Sequence, residues 1–218
     1  AIDDTSIANI GRWPWSREVH ARMTDLLAGA KAKVVANTLF LFEPQIDPGY
    51  QYITQLLELA ARADPAAPQS AVQAEMLALL RAAEAALNTD RRLAESYARA
   101  GNVLLPMLFT IDIPRGKPDR PLADYVVKNA IPGKEDELGA LPAAAVQVPL
   151  DSLGRAAAGL GHLNANPDVD GGIRTEPLVL RYFEHHFPSL SLMIAAKSLN
   201  LGPADIRIRA NEGVTLGR

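Results

Sequence analysis

Residues 159–182 read GLGHLNANPDVDGGIRTEPLVLRY, and this stretch decides how the C-terminal part of the chain is expected to fold. A short glycine-bounded segment, a turn dense in Asn, Pro, Asp and Gly, and a second segment that ends in an apolar run are typical of two strands and their connection. The pattern therefore predicts a β-hairpin across residues 159–182. A second turn at Glu184-His185 and a helix that starts at Pro188 are expected to follow.

A second long apolar run lies nearer the N-terminus. Residues 32–42 read AKVVANTLFLF, which predicts a central strand covered on both faces of a sheet. Apolar residues at helical spacing predict a helix before it: Val19, Met23, Leu26 and Leu27. Because residues 1–2 have the form of a strand end, the order strand, helix, strand predicts a βαβ unit with a parallel pair.

The middle of the chain predicts helices. Asp47-Pro48 is typical of a helix start, and Ser70 with Gln73 has the spacing of a capping box. Apolar stripes expected to face inward follow these starts: Tyr50, Ile53, Leu56, Leu57 and Ala60 on the first helix, and Val72, Met76, Leu79, Leu80, Ala83 and Leu87 on the second. Residues 112–121 are rich in Pro and charge and predict a loop, while the pattern does not assign a structure to residues 112–145 as a whole.

These segments together predict the α/β class. The expected architecture is a mixed, partly parallel central sheet with helices on both faces and a C-terminal β-hairpin plus helix. With 218 residues the chain can bury a substantial core, and we interpret residues 1–218 as a single domain.

Composition excludes several classes of function. Lys and Arg number 22 against 25 Asp and Glu, without the clustered basic charge that a nucleic-acid surface requires. The chain has no cysteine, which excludes disulfides, thiolate zinc sites and cysteine nucleophiles. No window approaches the ~18 apolar residues of a membrane helix. Since the chain begins at Ala1 without Met and stops abruptly at Arg218, we interpret it as a fragment of a longer protein.

Asp3 and Asp4 are the most plausible catalytic residues on position alone. They follow an apparent strand end, which is where open α/β sheets place their active sites. A nucleophilic aspartate or an acid/base pair there would make the protein an enzyme of unknown class. The competing interpretation is structural: one carboxylate caps the helical turn at Thr5-Ser6, and the other pairs with Arg12 or Arg174. The common phosphate-loop, dinucleotide and Gly-x-Ser-x-Gly motifs are missing from the sequence.

The segment Trp13-Pro14-Trp15 has two interpretations. It could form an aromatic binding wall, or it could be a packing clamp in which Trp15 acts as a hydrophobic staple for the helix after Ser16. His162, beside a glycine-bounded strand, is expected to be a hydrogen-bonded structural residue rather than a ligand.

Residues 166–171 match the first half of a calcium loop. Asn166, Asp168 and Asp170 alternate, and Gly171 follows them. The twelfth position, which should supply a bidentate Glu, is Pro177. The sequence therefore predicts a turn held by Asx hydrogen bonds, not a metal site.

Several motifs along the chain resemble one family, the CHASE2 domains. The matching segments are IDD at 2–4, GRWPWSR at 11–17, GNVLLP at 101–106, GHLN at 161–164, PDVDGGIR at 167–174 and FPSL at 187–190. Ser16 departs from the pattern, because CHASE2 members usually have Pro there. The resemblance covers most of the chain, with its most specific motifs near the two ends.

The resemblance implies an extracytoplasmic sensory domain. CHASE2 domains belong to bacterial adenylate cyclases, histidine kinases and Ser/Thr kinases, so we expect a non-catalytic module that regulates an attached cytoplasmic effector, most plausibly a class III adenylate or guanylate cyclase. The parent would be a membrane protein with spans on both sides of this domain, which faces the periplasm or the cell exterior. It would form a homodimer in the parent and a weak one or none as a fragment.

The expected signal is an unknown small molecule or protein, with no cofactor, no metal and no nucleic acid. Candidate ligand-binding residues are Asp3, Asp4, Arg12, Trp13, Trp15, His162, Asn164 and Arg174. A structural or protein-interaction module is a further alternative.

Overall fold

The computed structural model describes residues 2–45, 47–62, 70–118, 120–133, 139–209 and 212–217. Its helices are α1 Asp4–Ile10, α2 Arg17–Gly29, α3 Pro48–Ala61, α4 Ala71–Leu87, α5 Thr89–Ala100, α6 Asp124–Val127, α7 Asp151–Ala156 and α8 Leu190–Ser198. Its strands are β1 Val35–Ala36, β2 Val103–Ile111, β3 Leu141–Gln147, β4 Gly159–His162, β5 Val179–Tyr182, β6 His185–Pro188, β7 Ile206–Arg209 and β8 Gly213–Leu216. The predicted α/β class is confirmed.

Strand β2 organises the mixed sheet. β1 and β4 pair with it in parallel, whereas β3 pairs with it antiparallel. The sheet continues from β3 to β5 in parallel and from β5 to β6 antiparallel, while β7 and β8 form a separate antiparallel hairpin. A C-terminal β-hairpin and a helix are both present, as expected for the class: β7–β8 is the hairpin, and α8 is the helix.

The two faces of β2 enter different parts of the core. Every second side chain of β2 points toward a cluster that contains Leu93 and Tyr97 of α5: these are Val103, Leu105 and Met107. Leu104 points to the other face and packs with residues of α8 and β7: Leu190, Met193 and Ile206. Because side chains alternate along a strand, a continuously apolar strand needs cover on both faces, as the sequence predicts for the sheet.

Gly161 lets α8 approach the sheet closely. A Cβ atom at this position would lie 2.7 Å from the Leu190 Cα and 2.8 Å from the Leu190 nitrogen. No side chain fits that gap unless the backbone moves. The glycines of residues 159–161 therefore serve helix–strand packing, not a turn.

The hairpin predicted across residues 159–182 is wrong in its pairing. β4 lies beside β2, with Leu160 opposite Leu105, and β5 lies between β3 and β6. The observed hairpin is β5–β6, and its turn is Phe183-Glu184. The Asn- and Asp-rich residues 163–178 form a long connection between two parts of the sheet, so its turn chemistry does not join adjacent strands.

The central strand predicted for residues 32–42 is also wrong: only β1 forms, at residues 35–36. Asn37 bends the chain away, because its side-chain oxygen accepts the Leu39 amide at 2.9 Å and its amide donates to the Tyr97 hydroxyl at 2.8 Å. β1 pairs in parallel with β2, and the chain connects these two strands through α3, α4 and α5. The described N-terminal residues form α1 rather than a strand.

Three predicted inward stripes are only partly buried. On α2 the buried residues are Ala21 and Thr24, whereas Met23 and Leu26 are exposed. On α3 and α4 some residues of the predicted stripes are half-buried and others are exposed. The four exposed residues are Leu56, Val72, Met76 and Leu79. The helices themselves are confirmed, including the Ser70–Gln73 capping box.

Candidate functional site

Asp3 and Asp4 lie at the start of a helix. The Asp3 carboxylate accepts the Ser6 amide at 2.8 Å, and the Asp3 amide donates to the Ser6 hydroxyl at 2.9 Å, so Asp3 is the N-cap of α1. The hydrogen bond from the Ser6 amide lowers the pKa of Asp3. The capping interpretation is confirmed for Asp3. The strand-end position on which the enzyme hypothesis rests is wrong.

The two tryptophans form a packing clamp on α2. Trp13 and Trp15 meet edge to face with ring centroids 5.4 Å apart, and both pack against His20 of α2. Trp15 also donates its indole N–H to the Gly11 carbonyl at 2.8 Å. Since Ser16 is the N-cap of α2, Trp15 and His20 occupy the two positions of a hydrophobic staple. The clamp accounts for the aromatic segment without a ligand.

His162 and Asn164 lie inside the fold. Asn164 accepts the Phe109 amide at 3.0 Å and donates to the Phe109 carbonyl at 2.7 Å, so its side chain continues the pairing of β2 beyond β4. His162 is fully buried, and its ring meets Phe109 edge to face at 6.1 Å. Within the described residues neither ring nitrogen of His162 has a hydrogen-bond partner, so the hydrogen bond expected for this residue is not formed. Burial lowers the pKa of His162 to about 4, so the ring is neutral near pH 7.

Arg174 organises the loop that resembles half a calcium site. Its guanidinium donates to Asp168 at 2.7 Å and to both carboxylate oxygens of Asp170 at 2.8 and 2.7 Å. Those hydrogen bonds lower the pKa of Asp170 to about 2. The Asp170 carboxylate also accepts the Gly172 amide at 3.0 Å, which is the predicted Asx turn. The Arg174 guanidinium is therefore the positive charge that the carboxylates of this loop bind. The predicted pairing of Arg174 with Asp3 or Asp4 is not formed.

The eight predicted ligand residues therefore occupy separate places. Asp3 and Asp4 belong to α1, and Arg12 lies with the tryptophans in the segment before α2. His162 and Asn164 are in the sheet, and Arg174 is in the loop 163–178. None of the eight lines either of two cavities formed by the described residues, which have volumes of about 900 and 660 Å³.

The largest of these cavities has a volume of about 900 Å³ and lies beneath the loop between β2 and β3. Its floor includes Ala145 and Val146 of β3, while Tyr182 at the end of β5 and Phe183 in the β5–β6 turn also line it. The volume falls within the range of small-molecule sites. A second cavity, of about 660 Å³, lies between the start of α3 and α5.

Phe183 has an unusual backbone at the rim of the larger cavity. Its φ is 50°, in the left-handed region that bulky residues rarely adopt. Its ring packs edge to face on Tyr182, with centroids 4.8 Å apart. Residues held in sparsely populated backbone regions cluster at active sites and ligand-binding positions. Here the strain holds an aromatic ring where a turn would ordinarily have Gly or Asn.

Three basic side chains line the same cavity, from one loop. Arg115, Lys117 and Arg120 are exposed, and among the described residues none of them has an ion-pair partner. The acidic residue of the lining, Asp112, accepts the amide of Ile113 at 2.7 Å. Basic side chains without an ion-pair partner among the described residues, beside an aromatic and aliphatic wall, favour a ligand with negative charge and an apolar part.

A comparison with protein families matches the CHASE2 domain to residues 1–216 of this chain. The chain belongs to the CHASE2 family. Comparisons with curated proteins and with solved structures gave no match.

CHASE2 is a family of extracytoplasmic, non-catalytic sensory domains, and membership of this family is consistent with signal sensing. The motif residues of this CHASE2 domain mostly serve the scaffold: the cap of α1, the tryptophan clamp, the packing of β4 and the loop ion pairs. Among the described helices, none is both long and apolar enough to span a membrane.

Sequence reasoning missed the lining of the larger CHASE2 cavity. The sequence predicted a loop at residues 112–121 but gave no structure for residues 112–145 as a whole, and it gave the loop no function. One signal was available: residues 112–123 form a long connection with neither helix nor strand in the part that the structure describes, and such connections often carry function. Three basic residues in a Pro-rich loop strengthen that signal.

Proposed function

We propose that this CHASE2 domain is the signal-sensing part of a longer membrane protein and regulates an effector attached to it. The observation that carries the proposal is the family match, which spans residues 1–216. The cavity of about 900 Å³ supports it, because a sensor of small molecules needs a concave site. The domain would face the periplasm or the cell exterior, tethered by flanking spans of the parent.

The proposed effector is a class III adenylate or guanylate cyclase. The support is family membership, because CHASE2 domains occur in such cyclases. A histidine kinase or Ser/Thr kinase is the second candidate effector, because the family serves these enzymes as well. In either case the fragment would sense and the attached domain would catalyse.

The proposed signal is a small anionic molecule with an apolar part, bound in the larger cavity. Arg115 and Arg120 would hold the charged group, since a guanidinium can donate two parallel hydrogen bonds to a carboxylate or phosphate. Phe183 would contact the apolar part. A charged group at this exposed site would keep much of its hydration, so we expect modest affinity.

We expect phenyl phosphate and benzoate, used as anionic probes, to bind more tightly than the neutral probe benzyl alcohol. Replacing both Arg115 and Arg120 with Ala should weaken the anionic probes about tenfold and leave benzyl alcohol unchanged. Titration followed by NMR would measure both effects. Arg207→Ala is the matched control, because Arg207 is exposed on β7 and does not line the cavity. Equal losses in the control would show that only general charge attraction is involved, and no binding of any probe would contradict the proposed site.

We expect Ser70→Cys in the parent protein to react with a membrane-impermeant maleimide in intact cells, after permeabilising the outer membrane where one is present. Ser70 is an exposed N-cap, so the substitution costs only about 1 kcal/mol. Ser96→Cys is the control: Ser96 is buried, and a cysteine there should react only after denaturation. Labelling at position 70 only after the inner membrane is broken would place the domain in the cytoplasm.

A further inference from the structure

Helices α3 and α4 form an antiparallel hairpin with little cover from the rest of the fold. The start of α3 meets the end of α4, where the Tyr50 hydroxyl donates to Glu84 at 3.2 Å and the Asn88 amide donates to Tyr50 at 3.0 Å. All residues of 48–61 and 71–87 are described, and none of them is buried. The two helices thus pack on each other along one face only.

An exposed apolar stripe runs along each helix. On both helices the spacing is i, i+4, i+7, which places the three side chains on one face. We call the six residues the outer stripe: Tyr52, Leu56 and Leu59 of α3, and Val72, Met76 and Leu79 of α4. Each has between 48% and 74% of its surface exposed.

The two halves of the outer stripe lie on the same side of the hairpin. The half-buried positions that face the partner helix include Ile53 and Leu57 on α3, and Leu80 and Leu87 on α4. Seen along the axis of each helix from its N-terminus, the outer stripe is rotated by roughly a quarter to a third of a turn from these packed positions. The direction of this rotation is the same on both helices. Because the two helices run antiparallel, the same direction of rotation places both halves of the outer stripe on the same side of the hairpin. They therefore form one continuous apolar surface.

Charge is nearly absent from this surface. α3 carries a single charged residue, Glu58, and α4 carries Glu75, Arg81 and Glu84. Glu84 is already paired with Arg91 at 3.1 Å, and the helical phase places Arg81 on the side of α4 away from the outer stripe. A helix that is apolar on nearly all sides is normally buried. Glu75 borders the outer stripe, because it follows Val72 by three residues and precedes Leu79 by four. One carboxylate beside six apolar side chains favours an apolar partner over a highly charged one.

We propose that the outer stripe is a docking surface for the outer stripe of a second copy of this chain. Two such hairpins facing each other form a four-helix bundle about a twofold axis, in which each apolar surface covers an identical one. The six side chains expose on the order of 600 to 700 Å², close to the ~800 Å² per partner of a stable interface. A surface of this size and composition favours a weak dimer, with a dissociation constant of about 1 to 100 µM.

Sedimentation equilibrium of the isolated chain tests the proposal. We expect the mass to rise from 23.4 kDa toward twice that value as concentration approaches roughly 100 µM. Met76→Glu with Leu79→Glu should weaken the dimer at least about tenfold and keep the circular dichroism spectrum, since both residues are exposed in the monomer. Leu26→Glu is the matched control, because Leu26 is an equally exposed leucine on α2. It should leave the dimer intact.

Cysteine cross-linking identifies the partner. The chain has no cysteine, so Met76→Cys introduces a unique thiol in the outer stripe, and mild oxidation should give a disulfide-linked dimer that Leu26→Cys does not give. A chain that stays monomeric and does not cross-link, or a dimer equally sensitive to Leu26→Glu, would overturn the proposal. Binding to phosphatidylglycerol vesicles that the Met76→Glu, Leu79→Glu chain loses, without any dimer, would overturn it in favour of a lipid surface.

Discussion

Gly161→Ala is expected to lower the free energy of unfolding by about 3 kcal/mol. The new Cβ atom would lie 2.7 to 2.9 Å from backbone atoms of Ser189 and Leu190, at the point where α8 begins. Backbone cannot rotate away as a flexible side chain can, so α8 must shift from the sheet and loosen the packing of Leu104 against Met193. Overpacking of this kind commonly costs 1 to 3 kcal/mol, and the clash with backbone places this case at the upper end.

Urea unfolding of three variants measures the effect. Gly29→Ala is the matched control, since an added Cβ meets nothing within 4 Å at the end of α2, and it should be neutral or slightly stabilising. Gly159→Ala should fall between the two, because its Cβ would meet the mobile ends of Leu104 and Met193 at 3.0 Å. If Gly161→Ala is no less stable than Gly29→Ala, α8 does not pack on β4 as described.

Signals that act within a few residues could be predicted from the sequence. The Ser16 cap, the Trp15 staple and the Ser70–Gln73 capping box depend only on neighbours within one helical turn, and all three are observed. Gly101 ends α5 with a φ of 65°, as expected for a C-terminal glycine. Local hydrogen-bond chemistry is sufficient to place these helix ends.

Strand pairing could not be predicted in the same way. Residues 32–42 are apolar enough for a central strand, but the hydrogen bond from Asn37 to Tyr97, distant in the sequence, ends β1 after Ala36. The predicted turn at Asp168–Asp170 forms, and both carboxylates pair with Arg174 of the same loop. β4 and β5, however, pair with other strands and not with each other. Which strands pair depends on contacts between segments that are far apart in the sequence, and no pattern within a single segment indicates those contacts.

The cavity proposed as the candidate site also could not be predicted from local sequence patterns. The cavity needs the 112–123 loop, β3 and the β5–β6 turn together, and no single stretch of sequence contains that arrangement. The strained φ of Phe183 is likewise invisible in the sequence, because a Phe-Glu pair is not a typical turn signal. The exposure of Val72, Met76 and Leu79 reverses the expectation from their spacing. A period shows which residues share a face, but it does not show what covers that face.

Acidification from pH 6.5 to pH 4 is expected to remove about 3 kcal/mol of stability through His162 alone. Burial lowers the pKa of His162 to about 4 in the folded protein, against an ordinary value of 6.5. Between these values the unfolded chain binds a proton that the folded protein does not. The contribution of His162 is therefore fully present above pH 6.5 and is lost as the pH falls through 4.

His162→Leu removes the titrating ring and keeps an apolar side chain against Phe109, so its stability should vary less between pH 6.5 and pH 4 than that of the unmodified chain. His185→Asn is the control, because His185 lies partly exposed in the β5–β6 hairpin, and its profile should keep the steep slope. The ¹⁵N spectrum of the histidine rings gives a readout that does not depend on the variants. In it His162 should remain neutral down to about pH 4 while the protein is folded. A His162 ring that titrates near pH 6.5 in the folded state, or a His162→Leu chain with an unchanged slope, would show that water reaches this side chain. In that case the packing of β4 against Phe109 could not be as tight as the buried ring requires.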